Sequence, residues 1–139
     1  MINRLVAEST IKAPFRGQPY FTISKKMLCF QADSYLKIKN LGRDAKDIDI
    51  PFNNTPLKFA LSQLKPWLYE LTVDSLLQVY HVEYINGIAD GSFKKIAIFH
   101  NVQDFYEVKN GVILSATNKT LKYVSFKEVI SSTEINLNV

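Results

Sequence analysis

Residues 105–126 read FYEVKNGVILSATNKTLKYVSF and carry the clearest local pattern in the chain. Asn110-Gly111 is the strongest two-residue hairpin signal, because a type I′ turn needs positive φ at both central positions and Asn and Gly tolerate it best. Asn118-Lys119 marks a second turn, and β-branched and aromatic residues fill the segments between the turns. The stretch therefore predicts a three-stranded antiparallel meander.

The register of this meander follows if each loop has two residues. Val108 then lies opposite Ile113, and Ile113 opposite Val124, so that β-branched side chains line up on one face. In this register the opposite face is predicted to carry Glu107 as its only carboxylate, together with Phe105, Leu114, Ala116, Leu121 and Tyr123. We therefore expect a core sheet that is at least partly covered on both faces.

A longer hairpin is predicted over residues 76–100. LLQVYHVEYI and KKIAIFHNV are strand-like and flank the turn-rich NGIADGS, which includes Asp90. Because consecutive elements tend to be neighbours, the hairpin and the meander are expected to share one sheet of about five strands.

Shorter strands are predicted nearer the N-terminus, after an extended or looped entry over residues 1–18. YFTIS and MLCFQ are joined at Lys25-Lys26 by a tight turn, or by a longer loop because Lys-Lys is a poor turn pair. SYLKIKN alternates strictly, which points its lysines to water, and DIDIPF is expected to be an edge strand interrupted by Pro51.

A helix is predicted near residues 56–71. Asn54-Thr55-Pro56 has the capping side chain and first-turn proline of a helix start, and Pro66 predicts a kink. Leucines then recur every three or four residues, at Leu57, Leu61, Leu64, Leu68 and Leu71. This stripe, with Leu61, Leu64 and Leu68 as core residues, and Trp67 are expected to pack on the sheet.

Together these patterns predict an α+β fold. Residues 1–139 are expected to form a single globular domain, mainly antiparallel sheet, packed by one amphipathic, Pro-kinked helix near 56–71. The segment 127–139 fits either a short helix or one more strand. The Thr117-Asn118-Lys119 turn before an apolar strand resembles turns of small bacterial barrels of pleckstrin-homology type. The mid-chain helix departs from that pattern, and no family is assigned.

Composition narrows the class of protein. The first residues, MINRLVAESTIKAPF, lack the uninterrupted apolar core of a signal peptide, and no apolar run elsewhere approaches a membrane span, so a soluble cytoplasmic protein is expected. The single cysteine, Cys29, forms no internal disulfide and is expected to be a small buried apolar residue.

Charge is distributed unevenly along the chain. Residues 1–43 contain eight Lys or Arg and only two acidic residues, whereas residues 44–139 contain nine basic and eleven acidic residues. The N-terminal third is therefore the basic pole, and an acidic partner is expected to meet it. Its predicted binding surface consists of Arg16, Lys25, Lys26, Tyr35, Lys37, Lys39 and Arg43.

The sequence contains few residues and no motifs of the kinds that catalysis usually requires. The chain has two histidines and one cysteine, without a phosphate loop, a nucleophile motif or metal-ligand spacing, so no catalytic residue, metal or cofactor is expected. His81 and Glu83 lie two apart on a strand and point the same way. His81 is expected to face Ile96 or Ala97, too far from His100 for a joint metal site.

These features favour a non-enzymatic binding protein, such as an inhibitor, immunity-type protein, adaptor or regulatory subunit, with an acidic protein as partner. The composition suits a bacterial or phage accessory protein. One alternative is a nucleic-acid-binding protein, because the basic pole also contains aromatic residues, and basic and aromatic groups together form single-strand binding surfaces. Another is a small enzyme or small-ligand binder centred on His81 and Glu83.

Overall fold

The computed structural model describes residues 21–42, 44–84 and 91–138. The described segments form twelve strands and one short helix. In chain order these are β1 (Phe21–Ser24), β2 (Met27–Ala32), β3 (Tyr35–Asn40), β4 (Ile48–Pro51), β5 (Lys58–Leu61), β6 (Trp67–Leu71), β7 (Leu76–Tyr84), β8 (Gly91–His100), β9 (Val102–Val108), β10 (Gly111–Ala116), β11 (Leu121–Ser125), α1 (Phe126–Ser131) and β12 (Glu134–Asn136).

The strands form three sheets. A five-stranded sheet has the order β12-β8-β7-β6-β5, a four-stranded sheet the order β1-β2-β3-β4, and a three-stranded sheet the order β11-β10-β9. All pairings are antiparallel except that of β12 with β8. The predicted mainly antiparallel sheet is therefore confirmed.

The five-stranded sheet forms the middle layer, because both of its faces are buried. Side chains alternate across a strand, so Leu68 packs with the four-stranded sheet while its neighbours Trp67 and Tyr69 pack with the three-stranded sheet and α1. All five residues of β6 are buried for this reason.

The predicted helix near residues 56–71 is wrong. This segment forms β5 and β6, an antiparallel hairpin in which Leu61 pairs with Leu68. Pro66 lies in the connecting loop, where its missing N–H removes no ladder hydrogen bond. Among the described residues, the only helix is the short α1, so little supports the α+β label.

The leucine stripe does not form one buried face. Leu61, Leu68 and Leu71 are buried, but Leu57 and Leu64 are exposed, Leu64 by 49%. The three-and-four spacing arises because two alternating strands are separated by a loop of five residues. Leu64 is therefore not a core residue, which corrects the prediction made for it.

The meander is present, but its register is shifted. Its first loop is Lys109-Asn110, and Gly111 already pairs with Val108 at the start of β10. A Cβ on Gly111 would lie 2.3 Å from the Val124 carbonyl oxygen, so close strand approach rather than turn geometry requires glycine here. The second turn, around Asn118, is confirmed by the Lys119 N–H bond to Ala116.

This shift changes which side chains share a face. Ile113 pairs with Tyr106 and Tyr123, so the predicted row of Val108, Ile113 and Val124 is wrong. The core-facing side carries buried Phe105, Val112, Leu114, Ala116 and Val124, whereas Tyr106, Leu121 and Tyr123 are exposed. Only one face of the three-stranded sheet packs on the core.

The long hairpin is confirmed by the pairing of β7 with β8. It does not share a sheet with the meander, which corrects that expectation. Asn101, with a φ of 64°, separates β8 from β9, and a residue in this left-handed conformation redirects the chain into the next layer. Asp90 lies outside the described residues.

The structure answers two questions that the sequence left open: the length of the turn between β1 and β2, and the conformation of the residues after 125. The Lys25-Lys26 turn has two residues with φ of 50° and 64°, the type I′ signs. The residues after 125 form both a helix and a strand. Ser125 and Glu128 make the capping box that begins α1, and β12 then closes the edge of the middle sheet beside β8.

The edge strand predicted in DIDIPF is confirmed as β4, which ends at Pro51 on one edge of the four-stranded sheet. Ile48 and Ile50 are buried against the middle layer. The predicted entry segment, residues 1–18, lies outside the described residues.

Candidate functional site

The predicted binding surface is divided in the structure. Lys25 and Lys26 lie at an exposed hairpin tip, and Lys25 Nζ reaches to 3.4 Å from the Leu64 carbonyl oxygen. Arg16 and Arg43 lie outside the described residues. The hairpin tip therefore contributes two exposed cations next to the loop between β5 and β6.

Lys37 and Lys39 are less available than the sequence indicates. Lys37 Nζ lies 3.0 Å from Asp49 and 3.2 Å from Asp47, and Lys39 Nζ lies 3.0 Å from Asp47. Burial lowers the pKa of Lys37, but hydrogen bonds to Asp49 and Asp47 outweigh it and raise that pKa overall. Tyr35 lies beneath Lys37, whose Nζ is 5.1 Å from the ring centre. These lysines thus form a neutralised cluster on the outer face of β3.

A cleft of about 490 Å³ opens beside the hairpin tip, between β1, the β5–β6 loop and β9. Leu64, Tyr106 and Lys109 line it, and Tyr106 is 70% exposed. From β1 the Thr22 side chain lines the cleft, while the exposed Ile23 side chain lies on the opposite face of the strand and only its carbonyl, which accepts from the Gln63 side chain at 2.9 Å, faces the β5–β6 loop. The cleft therefore joins exposed apolar side chains to the cations of the hairpin tip.

Glu107 fixes the shape of this cleft from within. Its carboxylate accepts hydrogen bonds from the Tyr69 hydroxyl at 2.6 Å, the Gln63 backbone N–H at 2.9 Å and the Ser62 hydroxyl. Burial raises the pKa of Tyr69, and the bond to Glu107 raises it further, so Tyr69 remains a donor. Glu107 thereby ties β9 to the β5–β6 loop.

Lys58 makes a second tie between the same layers. Its Nζ donates to Asp104 Oδ1 at 2.9 Å and to the Phe105 carbonyl at 2.8 Å, and the bond from Lys58 lowers the pKa of Asp104. The two ties therefore connect β9 to β5, β6 and the β5–β6 loop along the cleft.

The alternative centre predicted at His81 and Glu83 has both side chains on one face of β7. His81 pairs with Lys94 rather than Ile96 or Ala97, and the ladder shift at Val79/Tyr80 accounts for one residue of this difference. His81 Nε2 lies 4.0 Å from Glu83, and His100 Nε2 lies 2.6 Å from Glu134. In the part of the chain that the structure describes, no three metal-ligating side chains come together.

A second cavity, of about 410 Å³, lies between the chain after β4 and strands β6 to β8. Glu70 lines it and is only 1% exposed. Glu70 Oε1 accepts from Gln78 Nε2 at 3.1 Å, but Oε2 has no hydrogen-bond partner among the described residues. Burial raises the pKa of Glu70, and the opposing effects of Lys95 and the Tyr80 hydroxyl are smaller.

Sequence reasoning missed Glu70 and the role of Glu107. The predicted helix over residues 56–71 was described by its leucine stripe, and Glu70 is not part of that stripe. Its signal is that it is the only charged residue in WLYEL, which becomes informative once that segment is recognised as a strand. For Glu107 the signal is its place as the only carboxylate on an otherwise apolar strand face, but its three partners come from a separate segment, residues 62–69, which the sequence did not place beside it.

The raised pKa of Glu70 predicts a pH-dependent stability. Between the usual carboxyl pKa and the raised value, the folded state binds more protons than the unfolded state, so stability falls as pH rises through this window. Glu70→Gln should abolish that loss, giving a higher melting temperature than wild type at pH 7 and a smaller difference at pH 4. Thermal unfolding at both pH values measures it.

Neighbouring groups leave Glu70 as the main source of this effect. The pKa of Tyr80 is raised to about 12 and that of Cys29 is also raised, in both cases chiefly by burial, so both stay neutral in the window. Asp74 lines the same cavity, and Asp74→Asn measures its share. A Glu70→Gln difference that is constant from pH 4 to 8 would contradict the prediction.

Among the residues that the structure describes, no helix has the length and apolar character needed to cross a membrane. Comparison of the chain with protein-family models, with curated proteins and with solved structures finds no match. A functional proposal therefore rests on the two clefts and the charges around them.

Proposed function

We propose that this chain is a non-enzymatic binding protein that docks on an acidic protein through the cleft beside the β1–β2 hairpin. One observation carries the proposal: Leu64 and Tyr106 expose large apolar side chains along one cleft, which Lys109 also lines and beside which Lys25 reaches the Leu64 carbonyl. Apolar anchors within a polar, charged rim are the usual anatomy of a protein interface.

The charges favour an acidic partner. The carboxylate inside the cleft, Glu107, is fully engaged by three donors, so the cations at the rim set the outward charge. Lys25, Lys26 and Lys109 are exposed, and rim charges of this kind steer association with a partner of opposite sign. A segment that combines carboxylates with apolar side chains fits this surface.

The nucleic-acid alternative has less support. Lys37 and Lys39 are paired with Asp47 and Asp49, which removes them as free phosphate ligands. In the described part of the basic pole Phe30 is buried and Tyr35 lies beneath Lys37, which leaves Phe21, 56% exposed, as the ring open to stacking. Stacking on exposed rings and free cations along a groove are what single-strand binding requires.

Site-directed photo-crosslinking in lysate tests the proposal. A photoreactive phenylalanine analogue at Leu64 or Tyr106 should form a defined protein adduct, whereas the same analogue at exposed Phe93, on β8, should not. The partner identified is then purified, and its carboxylates are replaced by amides. Adducts that vanish after nuclease treatment would favour the nucleic-acid alternative, and equal adducts at Phe93 would refute the cleft as the docking surface.

Replacing Lys25-Lys26 by Asn-Gly separates binding from folding. Asn-Gly suits a type I′ turn better than Lys-Lys, so the variant should gain about 1 kcal/mol of stability. The loss of two rim cations should slow association with the acidic partner about 3- to 10-fold. Denaturant unfolding and stopped-flow or surface-based association rates measure the two effects.

Lys119→Gly is the matched control. Lys119 has a φ of 70° and belongs to the turn at the end of β10 opposite Lys109, about 20 Å away along the strand. Its replacement also removes a lysine at positive φ, so it should stabilise the fold without slowing association. The hairpin variant removes two cations and Lys119→Gly removes one, so a change half as large in the logarithm of the association rate for Lys119→Gly would show that net charge, not the hairpin tip, steers binding.

A further inference from the structure

A third cavity, of about 420 Å³, lies between the middle sheet and the end of α1. Cross-strand partners share one face of a sheet, so Trp67 on β6, His81 on β7 and Lys94 on β8 form a row across its floor. Ile130 of α1 and Thr133 line it from the other side. Small-molecule sites usually have volumes of about 300–1,000 Å³, so this cavity can hold a compact organic molecule.

The polar side chains of this row offer hydrogen-bond donors. Trp67 is 3% exposed, and its indole N–H meets no acceptor among the described residues, although its nitrogen is not closed off from solvent. Lys94, exposed on β8, makes no hydrogen bond or ion pair in the described part of the chain. His81 Nε2 lies 4.0 Å from Glu83 Oε2, which is beyond hydrogen-bond distance. Because an unpaired buried donor is unfavourable, the row favours a ligand that supplies acceptors.

The charge of the described lining is positive. Lys94 belongs to this lining, whereas no carboxylate does. Glu83 stands outside the cavity on exposed β7 surface, where a charge interacts weakly with its neighbours. Lys95 also touches the cavity, but its Nζ lies 5.7 Å from the ring centre of Tyr80, which packs on the other face of the sheet. The favoured acceptor is therefore an anion, with Lys94 as its counter-charge.

The remaining lining is apolar. Ile96 and the Trp67 ring lie on the sheet side, and Ile130, which is 60% exposed, lies on the helix side. An inorganic anion would leave these apolar surfaces in contact with water, whereas an apolar body attached to the anion would cover them. The lining therefore fits an organic anion better than an inorganic one.

We propose that this cavity binds a small organic acid as its carboxylate. Lys94 and the Trp67 indole N–H donate to the carboxylate, and His81, between them in the row, adds a third donor. The apolar body of the acid lies against Ile96 and Ile130. This inference does not depend on the proposed docking function, because the cavity shares no described lining residue with the docking cleft.

Three ligands of one shape test the charge requirement on the wild-type protein. Benzoate, benzamide and benzamidine have the same ring and differ in charge, and each is titrated by calorimetry at pH 7. Benzoate should bind at least about tenfold more tightly than benzamide, because charge-assisted hydrogen bonds are roughly twice as strong as neutral ones. Benzamidine should not bind. Acetate, which lacks the apolar body, should bind more weakly than benzoate.

The location of binding is read from Trp67. Because it is the only tryptophan of the chain, its indole N–H gives a single assignable signal in the nuclear magnetic resonance spectrum. This signal should shift as benzoate saturates the protein, since the carboxylate accepts from the same N–H.

A matched pair of lysine variants tests the residue. Lys94→Gln should weaken benzoate binding at least about tenfold, because it replaces a charge-assisted hydrogen bond by a neutral one. Lys119→Gln removes the same charge from the turn after β10 and should leave the affinity unchanged. That turn contacts Asn101 through the Thr117 N–H, about 23 Å along the sheet from Lys94. Lys94 is exposed, so its variant keeps the fold, which circular dichroism verifies.

Several outcomes would each overturn the proposal. These are equal affinities for benzoate and benzamide, acetate binding as tight as that of benzoate, equal losses in the two lysine variants, and an indole signal that does not move at saturation. The absence of saturable benzoate binding at about 10 mM, a concentration that detects even weak affinity, would do the same.

Discussion

Replacing Leu68 by alanine is expected to lower the free energy of unfolding by about 2–5 kcal/mol, the usual cost of truncating a buried leucine. Leu68 is fully buried in the middle layer, where it packs with Phe59, Tyr80 and the facing four-stranded sheet. The surrounding strands are held on both faces, so the structure has little freedom to collapse into the cavity. Urea denaturation followed by circular dichroism measures the change.

Leu64→Ala is the matched comparison, because it makes the same chemical change four residues earlier. Leu64 is 49% exposed in the β5–β6 loop, so its truncation should cost well under about 1 kcal/mol. The same variant should weaken docking at the cleft. Equal destabilisation by both truncations would mean that the leucines share one buried stripe, as a helix would place them.

The second large effect is expected for Glu107→Ala. Removing this carboxylate leaves the hydroxyls of Tyr69 and Ser62, both buried, without their acceptor. Each unpaired buried donor costs about 1–3 kcal/mol, so we expect a loss of about 2–5 kcal/mol. Because the same bonds fix the β5–β6 loop, docking at the cleft should also weaken. Denaturation midpoints and partner affinity report the two effects separately.

A double-mutant cycle with Tyr69→Phe isolates this interaction. Once the hydroxyl is absent, deleting Glu107 removes less, so the two losses should fall short of additivity by about 1 kcal/mol or more. Glu83→Ala, which removes an exposed carboxylate, serves as the control for net charge. Fully additive losses for Tyr69→Phe and Glu107→Ala would show that the bond contributes nothing to stability.

Strand segments with strict alternation were predictable from the sequence. SYLKIKN buries Leu36 and Ile38, and the hairpin over residues 76–100 forms as expected, because a period of two separates a core face from an outer face. The segment 56–71 was not predictable by period alone. Its leucines fit a helix and also fit two short strands, and the choice depends on burial of β6 on both faces, which is a property of the whole fold.

Local sequence patterns did not predict the register of the meander or the roles of the two carboxylates. Both depend on contacts between segments that are separate in the sequence. Gly111 is selected by the approach of Val124 from the next strand rather than by its own turn. The sequence predicted Lys37 and Lys39 to be free cations, but Asp47 and Asp49 lie beside them in the structure. Glu70 in WLYEL and Glu107 in FYEV each stand out as the only carboxylate in an apolar strand segment, but the partners that define their roles become visible only when the strands are paired.

The two faces of the middle sheet contain one native probe each. Trp67, the only tryptophan, packs edge-on against Phe126 on the side of the three-stranded sheet, with ring centres 5.3 Å apart, whereas Cys29, the only cysteine, is fully buried on the other side. Indole fluorescence therefore follows the opening of one interface, and thiol reactivity follows the opening of the other. Coincidence of the two signals means that the layers separate cooperatively, and divergence means that one layer detaches first.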